Sequence, residues 1–326
     1  MIPVTSLQNE SVKRCVTLRD ARNRLTQRRF LIDGARELRR ALESGVTITE
    51  LFVCPTFCKN PEAIALLDTW LPRLESERRI RRELRLYEVT ETVFMKLAFG
   101  DRTEGFVAVA QMPDLTPGAL TRRLSIPSRF PVSPAIRSPT TTLTLPPDTT
   151  NADDPGDVEG AGISSEPLLL GVVENVEKPG NLGAILRSAD GAGLSGIVSC
   201  DSRRSTADLF HAATIRASLG TIFHLPTATA STSETVKWLR ETARVRIFAA
   251  RVEGATPYTE VDLTGPSAIV VGSEADGLTS AWYGDDVTAI SLPMNGIADS
   301  LNVSVAAAIL FYEARRQRTD RAPRRP

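Results

Sequence analysis

A long stretch in the middle of the chain, residues 113–166, is rich in Pro, Ser, Thr, Gly and Asp and has little hydrophobic periodicity. Such a stretch buries too little apolar surface to offset the conformational entropy that is lost on ordering. Its prolines also favour an extended backbone over a collapsed one. We therefore expect residues 113–166 to be a disordered linker, with a separately folded unit on either side of it.

Both flanking segments alternate short apolar runs with amphipathic stretches. In residues 1–112 the apolar runs include RFLIDG, ITELFVCP and EGFVAVAQM, and in residues 167–318 they include PLLLGVV, SGIVSC, IFHLP, RIFAARV and AISLPM. The stretches between them, such as ARELRRALESG, place apolar residues at helical spacing. This alternation predicts an α/β fold for both units and a mostly parallel sheet in the second. Residues 319–326 form a short basic tail.

The overall composition is typical of a globular protein, with 42% hydrophobic and 24% charged residues and a formal net charge of zero. The N-terminus has no apolar signal-peptide region, and no apolar run approaches the ~18 residues that span a membrane. We therefore expect a cytoplasmic protein with reduced thiols and no membrane segment. Cys54 and Cys58 are spaced closely enough for a zinc site, but no histidine or second cysteine pair lies nearby. Buried thiols are the favoured interpretation, and we predict no metal.

The stretch ENVEKPGNLGAILRSADGAG, residues 174–193, has the pattern of a strand end, a Pro-Gly turn and a helix start. Helix N-termini present free N–H groups, so this order of elements is typical of sites that bind phosphates or nucleotides. The glycines fit neither the G-x-G-x-x-G nor the G-x-x-x-x-G-K-[ST] pattern, which argues against the two common nucleotide-binding motifs. The stretch instead carries an amide, Asn181, at the turn and a guanidinium, Arg187, further along the helix.

Two further polar stretches follow apolar runs: IVVGSEADGL at residues 269–278, and ISLPMNGIADSLNVSVAAAILFYEARRQR at residues 290–318. With residues 174–193, and in this order, they resemble the three signature motifs of the SpoU/TrmH family of RNA ribose 2′-O-methyltransferases, in the SPOUT superfamily. RASLG, residues 216–220, is similar to the stretch between the first two motifs. In the first unit, SLQNESVKRCVTL and RRFLIDGARELRRAL resemble the opening of the family's L30e-like substrate-binding domain. The linker is longer than this family usually carries.

The resemblance implies a C-terminal SPOUT domain, which is an α/β fold with a deep trefoil knot, and an N-terminal L30e-like α/β domain that binds the substrate. It implies S-adenosylmethionine as the methyl donor, rRNA or tRNA as the substrate, and a homodimer with the cofactor site beside the subunit interface. The closing helix carries more apolar residues than one buried stripe needs, which fits burial on two sides; packing on the sheet alone is the other explanation. The predicted function is thus methylation of a ribose 2′-hydroxyl in structured RNA.

Methyl transfer from a sulfonium needs the attacking oxygen to be held in line with the methyl group and its proton to be managed. By resemblance, the family's catalytic positions fall on five polar residues of this chain: Asn181, Arg187, Glu274, Ser300 and Asn302. Asn181 is expected to fix the ribose or the neighbouring loop, and Arg187 to meet the 2′-hydroxyl or the adjoining phosphate. In the family the matching arginine is proposed as the catalytic base. Because a guanidinium is effectively never deprotonated, a cation that stabilises the developing alkoxide is the alternative.

Some of these residues also have ordinary structural interpretations. Glu274 stands near a helix start, where acids interact favourably with the helix dipole, but the resemblance favours orienting Asn181 or the ribose. Ser300 alone has the pattern of an N-cap of the closing helix. The resemblance favours for Ser300 and Asn302 a role in binding RNA or in shaping the site. By the same resemblance, the cofactor is held by backbone groups of three residues: Gly272, Leu292 and Leu301.

RNA contacts need a local basic surface, because the net charge is zero. The N-terminal segment has many cations and few acids, which indicates a surface that contacts phosphates. The RNA-binding residues predicted from it are Lys13, Arg14, Arg24, Arg28 and Arg29. A second basic set, Arg315, Arg316 and Arg318 with the tail, is equally consistent with RNA contacts and with a solubilising end. His211 and His224 lie outside the motifs, and ordinary core or surface positions are expected for both.

Two other functions are considered. A non-catalytic RNA-binding protein would keep the fold without the activity, but the presence of all five polar motif residues argues against it. A Rossmann-type nucleotide enzyme is disfavoured because G-x-G-x-x-G is absent. No Ser-His-Asp set, metal cluster or carboxylate pair can be assembled from the sequence, which narrows the reaction class further.

Overall fold

The computed structural model of the chain describes residues 1–80, 84–100, 103–126, 166–201, 208–252, 255–273 and 276–321. These residues form two α/β units, as predicted from the sequence. The N-terminal unit contains a mixed sheet of five strands, and the C-terminal unit contains a parallel sheet of seven. Within the described ranges, no helix is long and apolar enough to cross a membrane.

The N-terminal unit is a sheet between two layers of helices. Its elements in chain order are β1 Ile2–Val4, α1 Glu10–Thr17, α2 Ala21–Gln27, β2 Arg29–Asp33, α3 Ala35–Glu43, β3 Ile48–Val53, α4 Pro61–Ala65, α5 Leu71–Ile80, β4 Arg85–Val89, α6 Glu91–Leu97 and β5 Phe106–Gln111. The strand order is β1-β4-β3-β5-β2. Helices α1 and α6 cover one face of the sheet, and α3 and α4 cover the other. Side chains of Asn9, Asp20, Asn60 and Thr90 cap α1, α2, α4 and α6 by accepting first-turn N–H groups, which sets where these helices begin.

The C-terminal unit is also a sheet covered on both faces. Its elements are α7 Pro117–Arg123, β6 Leu169–Glu174, α8 Pro179–Ala192, β7 Gly196–Asp201, α9 Ala212–Ala217, β8 Thr227–Ser231, α10 Thr232–Trp238, β9 Arg246–Ala250, β10 Thr256–Pro257, β11 Ser267–Val271, β12 Val287–Ser291 and α11 Val303–Arg321. The strand order is β10-β12-β9-β11-β6-β7-β8. Helices α8 and α11 pack on one face, and α7 and α10 on the other. A Cβ at Gly171 in β6 would lie 3.0 Å from the Phe311 ring, so this glycine lets α11 close onto the sheet.

The predicted linker is shorter than residues 113–166, because the start of that stretch is folded. Pro117–Arg123 forms α7, and Leu120 of this helix is fully buried on the second face of the C-terminal sheet. The Trp238 indole N–H donates to Thr121 Oγ1 at 2.9 Å, and the Thr229 N–H donates to the Leu115 carbonyl. Helix α7 thus belongs to the C-terminal unit, whose predicted start at residue 167 is too late. The rest of the predicted linker, residues 127–165, lies outside the described residues.

One predicted strand is a turn, and the strand beside it was missed. The apolar run IFHLP forms a 3-10 turn, Thr221–Phe223, and the strand β8 follows at Thr227–Ser231. The reason is that Phe223 packs across the interface onto Phe30 of the N-terminal unit rather than within the sheet. Strand β8 is made of small and polar residues because it is an outer strand of its sheet, so it lacks the apolar signal.

The relative placement of the two units, which the sequence leaves open, is set by a shared hydrophobic core. The ring centroid of Phe30 in β2 lies 4.4 Å from that of Phe210 and 6.1 Å from that of Phe223. All three rings belong to one buried cluster that continues from the N-terminal sheet to the helices α8 and α11. The two units are therefore packed against each other as a single body over this face.

Two reciprocal ion pairs flank these rings, each unit supplying one arginine and one aspartate. Arg24 Nε donates to Asp208 Oδ2 at 2.6 Å, and Arg216 Nη2 donates to Asp33 Oδ2 at 2.6 Å. The Arg24 side chain is only 3% exposed, as is that of Asp33. Removing one partner of a buried pair leaves an uncompensated charge and costs about 3–5 kcal/mol. The pairs therefore favour one docking geometry over others.

We expect the Asp33→Asn variant to lose one component of the pH dependence of stability. Burial raises the pKa of Asp33 from 3.8 to about 6, against the opposing effect of the Phe99 N–H and the Arg216 guanidinium. A raised carboxyl pKa contributes stability that is fully present below the unfolded value and is lost as pH rises through the folded value. The free energy of unfolding of the parent minus that of the variant should thus fall between about pH 4 and about pH 7, by on the order of 2 kcal/mol.

Urea unfolding at several pH values measures this difference. The control is Asp286→Asn, because Asp286 pairs with Arg240 at an exposed position. A difference between parent and Asp33→Asn that does not change with pH would contradict the assignment.

Candidate active site

Three polar loops lie at one edge of the C-terminal sheet. The first loop, residues 175–178, follows β6; the second loop, residues 272–278, follows β11; the third loop, residues 292–302, follows β12. Because the strands are parallel, their carboxyl ends share an edge, where ligand sites of α/β sheets form. Strands β6 and β11 are hydrogen-bonded neighbours, and β9 separates β11 from β12. The three stretches singled out in the sequence therefore meet in space.

The first loop leads into α8, which carries Asn181 in its first turn. The helix begins at Pro179, where a missing N–H removes no intrahelical hydrogen bond. It ends at Gly193, whose φ of 72° is the left-handed conformation that glycine adopts without strain. A Cβ at Gly183 would lie 2.6 Å from the Thr214 carbonyl oxygen of α9, so this glycine lets the two helices touch. The helix that carries Asn181 is thus held in place by its close packing against α9.

A hydrogen bond joins the first and third motifs. Asn302 Nδ2 donates to Asn181 Oδ1 at 3.3 Å. The Asn302 side chain also caps α11, since its Oδ1 accepts from the Ser304 N–H at 2.9 Å. The N-cap of the closing helix is therefore Asn302, and the interpretation of Ser300 as that cap is wrong by two residues. Ser300 is exposed in the third loop.

Arg187 lies on the outward face of α8. Its side chain is exposed, and within the described part of the chain it forms no hydrogen bond or ion pair. Six residues of helix separate it from Asn181, which corresponds to about 9 Å along the axis and about 120° of rotation. The two side chains therefore do not face each other. The guanidinium keeps its charge and its five N–H donors for a ligand.

The second loop is a tight reversal that begins at Gly272. The Gly277 N–H donates to the Ser273 carbonyl at 3.1 Å, and Ser273 Oγ accepts from the Asp276 N–H at 3.0 Å. A Cβ at Gly272 would overlap the Gly277 carbonyl and lie 2.7 Å from the Leu278 nitrogen. Glycine is therefore required at 272 by close approach of backbone, as suits a loop that offers its main chain to a ligand. Glu274 lies outside the described residues.

The third loop is largely exposed between two anchored ends. Leu292 is half-buried and packs on the main hydrophobic cluster, and Leu301 is half-buried next to the Asn302 cap. Between them, Met294 is 36% exposed and the Ile297 side chain is fully exposed. The middle of the third loop thus presents apolar side chains to solvent, and exposed apolar residues of this kind are ordinary when they stand singly.

Arg24 is not available to RNA, so its prediction as an RNA contact is wrong. Its side chain is 3% exposed, and besides the ion pair with Asp208 its Nη1 donates to the carbonyls of Leu18 and Arg19, each at 2.7 Å. All of its interactions are internal. Arg24 holds the two units together instead.

The other four predicted RNA contacts keep some exposed charge. Lys13 pairs with Glu10 in the same helix at 3.1 Å, and Arg28 Nη2 donates to the Pro113 carbonyl at 3.2 Å. Arg14 and Arg29 lie 3.7 Å and 3.6 Å from the buried Glu50, with side chains 45% and 39% exposed. The Lys13–Glu10 pair is exposed and therefore weak, so phosphates can compete for Lys13, whereas Arg14 and Arg29 also compensate the charge of the buried Glu50.

The described residues of the second basic set, Arg315, Arg316 and Arg318, all make contacts within the fold. Arg318 donates to the carbonyls of Pro167, Leu168, Leu263 and Gly265, which ties the end of α11 to the base of the sheet. Arg315 pairs with Glu166 at 2.9 Å, and Arg316 pairs with Glu313 at 2.8 Å and with Asp320 at 2.8 Å. These pairs favour neither of the two roles considered for the tail, and residues 322–326 lie outside the described part.

His224 lies beside a groove of about 490 Å³ between the two units, which Arg40 and Arg123 also line. The His224 side chain is 83% exposed, and its Nδ1 lies 3.0 Å from Asp190 Oδ1. Asp190 follows Asn181 by nine residues, or about 13 Å along α8. The groove is thus remote from the motif loops, and His224 has the surface position expected for it.

His211 and the four cysteines have structural positions. His211 caps α9 by accepting the Ala213 N–H at Nδ1, and burial lowers the pKa of this imidazole. All four cysteines are buried and free. Burial raises the pKa of Cys58 and of Cys200 to about 12 each, which keeps both thiols protonated. Among the described residues no group of three or more His, Cys, Asp or Glu is arranged to hold a metal ion.

Two family models match the chain, one in each unit. Residues 169–312, which include all three loops, match the model described as the SpoU rRNA Methylase family. Residues 9–108 match the model described as the MRM3-like substrate binding domain. Both matches fall within the units predicted from the sequence.

Curated relatives match about half of the chain. A 23S rRNA guanosine 2′-O-methyltransferase of Bacillus subtilis, RlmP, is 35% identical over 144 residues, which are 44% of this chain and 56% of that protein. The 23S rRNA guanosine 2′-O-methyltransferase RlmB of Coxiella burnetii is 37% identical over 158 residues, 48% of this chain and 62% of that protein. The chain thus spans little more than half the length of the curated relatives it matches.

Two solved structures match over almost the whole chain. The crystal structure of an RNA 2′-O ribose methyltransferase is 34% identical, has a TM-score of 0.68, and is matched over 98% of this chain and 100% of that one. The AdoMet-bound rRNA methyltransferase from Sinorhizobium meliloti is 25% identical with a TM-score of 0.72, over 96% of this chain and 97% of that one. The similarity thus extends over both units.

Proposed function

The chain belongs to the SpoU rRNA methylase family, as its three motifs predicted, and on that premise we propose that it methylates a ribose 2′-hydroxyl in structured rRNA or tRNA, with S-adenosylmethionine as donor. The observation that carries this proposal is the meeting of the three loops at one sheet edge, with Asn302 hydrogen-bonded to Asn181. A non-catalytic RNA-binding protein that keeps the fold would keep this contact too, so an assay of methyl transfer separates the two functions. The N-terminal unit is the proposed RNA-binding domain.

The second and third loops suit the proposed cofactor. At Gly272 the backbone of the second loop approaches so closely that no side chain fits, and the third loop exposes its main chain between Leu292 and Leu301. N–H and C=O groups presented by such loops match the donor and acceptor edge of an adenine. Backbone of Gly272, Leu292 and Leu301 would hold the cofactor, which supplies an activated methyl group when bound. Glu274 stays a prediction, since it lies outside the described residues.

In the proposed mechanism the chain positions the RNA and manages charge. Asn181 acts through the third loop: its carbonyl oxygen accepts from Asn302, which supports the loop-fixing role over direct contact with the ribose. Arg187 projects outward with an uncommitted charge, so it can meet the ribose oxygen or the adjoining phosphate. A guanidinium there stabilises the negative charge that develops on the 2′-oxygen as the proton of the hydroxyl passes to water. Ser300, exposed in the third loop, is free to contact RNA.

Calorimetry with S-adenosylmethionine and with NAD separates this proposal from a nucleotide oxidoreductase. We expect binding of S-adenosylmethionine and none of NAD. Preferential binding of NAD would contradict the proposed function. A chain that binds S-adenosylmethionine and RNA but transfers no methyl group would instead support the non-catalytic alternative.

The RNA surface of the N-terminal unit is expected to depend on Lys13 and Arg28. Replacing both by Gln should weaken RNA binding and reduce the slope of log K against log salt by up to about 0.9 for each phosphate contact that is lost. Filter binding at several salt concentrations measures the slope. The control is a Lys237→Gln, Arg244→Gln double variant, which removes two exposed cations from the C-terminal unit. An equal change of slope in both double variants would move the RNA surface elsewhere.

We propose a homodimer in which the outer stripe of α11 is covered by a second copy of the chain. Val305 is 46% exposed and Tyr312 is 52% exposed, and seven residues of helix place them on one face. The opposite face of α11 is buried on the sheet and α8. Ile297 of the third loop, eight positions before Val305, is a further exposed apolar side chain of the same segment, and a partner subunit on α11 would cover part of this segment.

Light scattering at micromolar concentration tests the dimer. We expect twice the mass of one chain for the parent and the mass of one chain for Tyr312→Glu. Met95→Glu is the control, because Met95 is 51% exposed on α6 of the other unit. A monomeric parent would contradict the proposal.

The trefoil knot and the cytoplasmic location remain predictions.

A further inference from the structure

A buried carboxylate lies beneath the first and second loops. Glu174 is the last residue of β6, and its side chain has no exposed surface. Its Oε1 accepts from Thr232 Oγ1 at 2.7 Å and from Thr279 Oγ1 at 2.9 Å, and its Oε2 accepts from the Thr279 N–H at 2.8 Å. One carboxylate thus connects three segments that are far apart in sequence.

The donors around Glu174 are neutral. Within the described residues no Lys, Arg or His lies within ion-pair distance of its carboxylate, which is held by two hydroxyls and one backbone N–H. Cys200, which pairs with Glu174 from the neighbouring strand β7, is also buried. Burial, and to a smaller extent the charge of Glu174, raises the pKa of this thiol to about 12. Burying a carboxylate without a cation is costly, and each missing hydrogen bond adds to the cost. The buried carboxylate therefore depends on all three hydrogen bonds from the two threonines.

The contacts lie where both motif loops begin or end. Asn175, directly after Glu174, turns the chain with a φ of 53° into the first loop. Thr279 directly follows the second loop and precedes the 3-10 turn Ser280–Trp282. Thr232, by contrast, begins α10 and touches neither loop. Glu174 therefore fastens the end of the second loop to the strand from which the first loop departs.

We propose that Glu174 is a positioning residue that holds the second loop, through Thr279, in the conformation that binds the cofactor. The assignment of a cofactor to this loop rests on the proposed function. Glu174 touches neither cofactor nor RNA, and its effect passes through Thr279 to the adjoining hydrogen bond from Gly277 to Ser273. Without the carboxylate, the N–H and the hydroxyl of the half-buried Thr279 would lose their acceptor, and the reversal between Ser273 and Gly277 would lose its fixed end.

Two matched variants separate positioning from a general contribution to stability. Thr279→Val and Thr232→Val each remove one hydroxyl that donates to the same oxygen of Glu174 and leave the side-chain volume nearly unchanged. Both should lower the melting temperature. Only Thr279→Val should speed hydrogen exchange of the Gly277 and Thr279 amides, by about tenfold, which is the change expected for one lost hydrogen bond to a charged group.

The same pair of variants is then titrated with S-adenosylmethionine. The Kd should rise about tenfold in Thr279→Val and change by less than about twofold in Thr232→Val. Equal exchange of the loop amides in the two variants, or a Kd that does not respond to Thr279→Val, would overturn the positioning role. If the parent binds no S-adenosylmethionine, the proposed function fails, while the exchange measurement on the unliganded chain still decides whether Glu174 holds the loop.

Discussion

Replacing Arg187 by Ala is expected to lower the rate of RNA methylation by at least about 10²–10³-fold, the usual loss when a preorganised donor at a developing oxyanion is removed. The binding of S-adenosylmethionine should change little, because Arg187 projects from the outer face of α8 whereas the proposed cofactor groups lie on the second and third loops. Single-turnover methylation and calorimetry measure the two quantities separately. Arg244→Ala, which removes another exposed arginine of the same unit, should be unaffected in both.

The Arg187→Lys variant distinguishes the two roles considered for this residue. Lys keeps the positive charge but loses the planar fork, and its pKa falls readily in an apolar environment. A cationic role predicts partial activity with the pH profile of the parent. A base role predicts a rate that rises with pH through an ionisation that the parent lacks. Near-normal rates in Arg187→Ala would remove the residue from the mechanism altogether.

Replacing Gly272 by Ala is expected to weaken the binding of S-adenosylmethionine by at least about 100-fold, which corresponds to about 2.8 kcal/mol. The added Cβ would overlap the Gly277 carbonyl, and that obstacle is backbone rather than a flexible side chain. The reversal held by the hydrogen bond from Gly277 to Ser273 must then open, which displaces the main chain that the cofactor is proposed to contact.

The matched control for this variant is Gly296→Ala. Gly296 lies in the neighbouring third loop, and a Cβ there would meet no atom within 4 Å. We expect this variant to bind S-adenosylmethionine as the parent does and to have the same circular dichroism spectrum. Unchanged binding in Gly272→Ala would show that the second loop is not part of the cofactor site.

The strands and the order of elements were predictable because buried strands carry strong local signals. PLLLGVV and SAIVV are continuous apolar runs, and they form the buried strands β6 and β11. Helix α7 was missed because its seven residues lie within a long stretch whose overall composition is rich in Pro and Ser. What reveals it is the burial of Leu120 on the distant C-terminal sheet, and that contact has no local signature.

Only those residues of the site that belong to a sequence motif could be predicted from the sequence; their contacts could not. Asn181 and Asn302 were identified from their motifs, but their hydrogen bond spans 121 positions and follows from the topology of the sheet. Arg24 appeared to belong to a basic surface because its partner, Asp208, lies 184 positions away. Glu174 had one available signal, an ionisable residue at the end of an apolar strand, although its threonine partners are visible only in the fold.

Methylation of a ribose 2′-oxygen is tested most directly by mass spectrometry of RNA nucleosides after reaction with isotopically labelled S-adenosylmethionine. Purified rRNA and tRNA that lack the modification are incubated with the parent chain and with Arg187→Ala, then digested to nucleosides. We expect the labelled methyl group to appear on a ribose 2′-oxygen in the parent reaction and to be nearly absent with Arg187→Ala. Label found on a base, or no transfer to any RNA by a chain that binds S-adenosylmethionine, would contradict it.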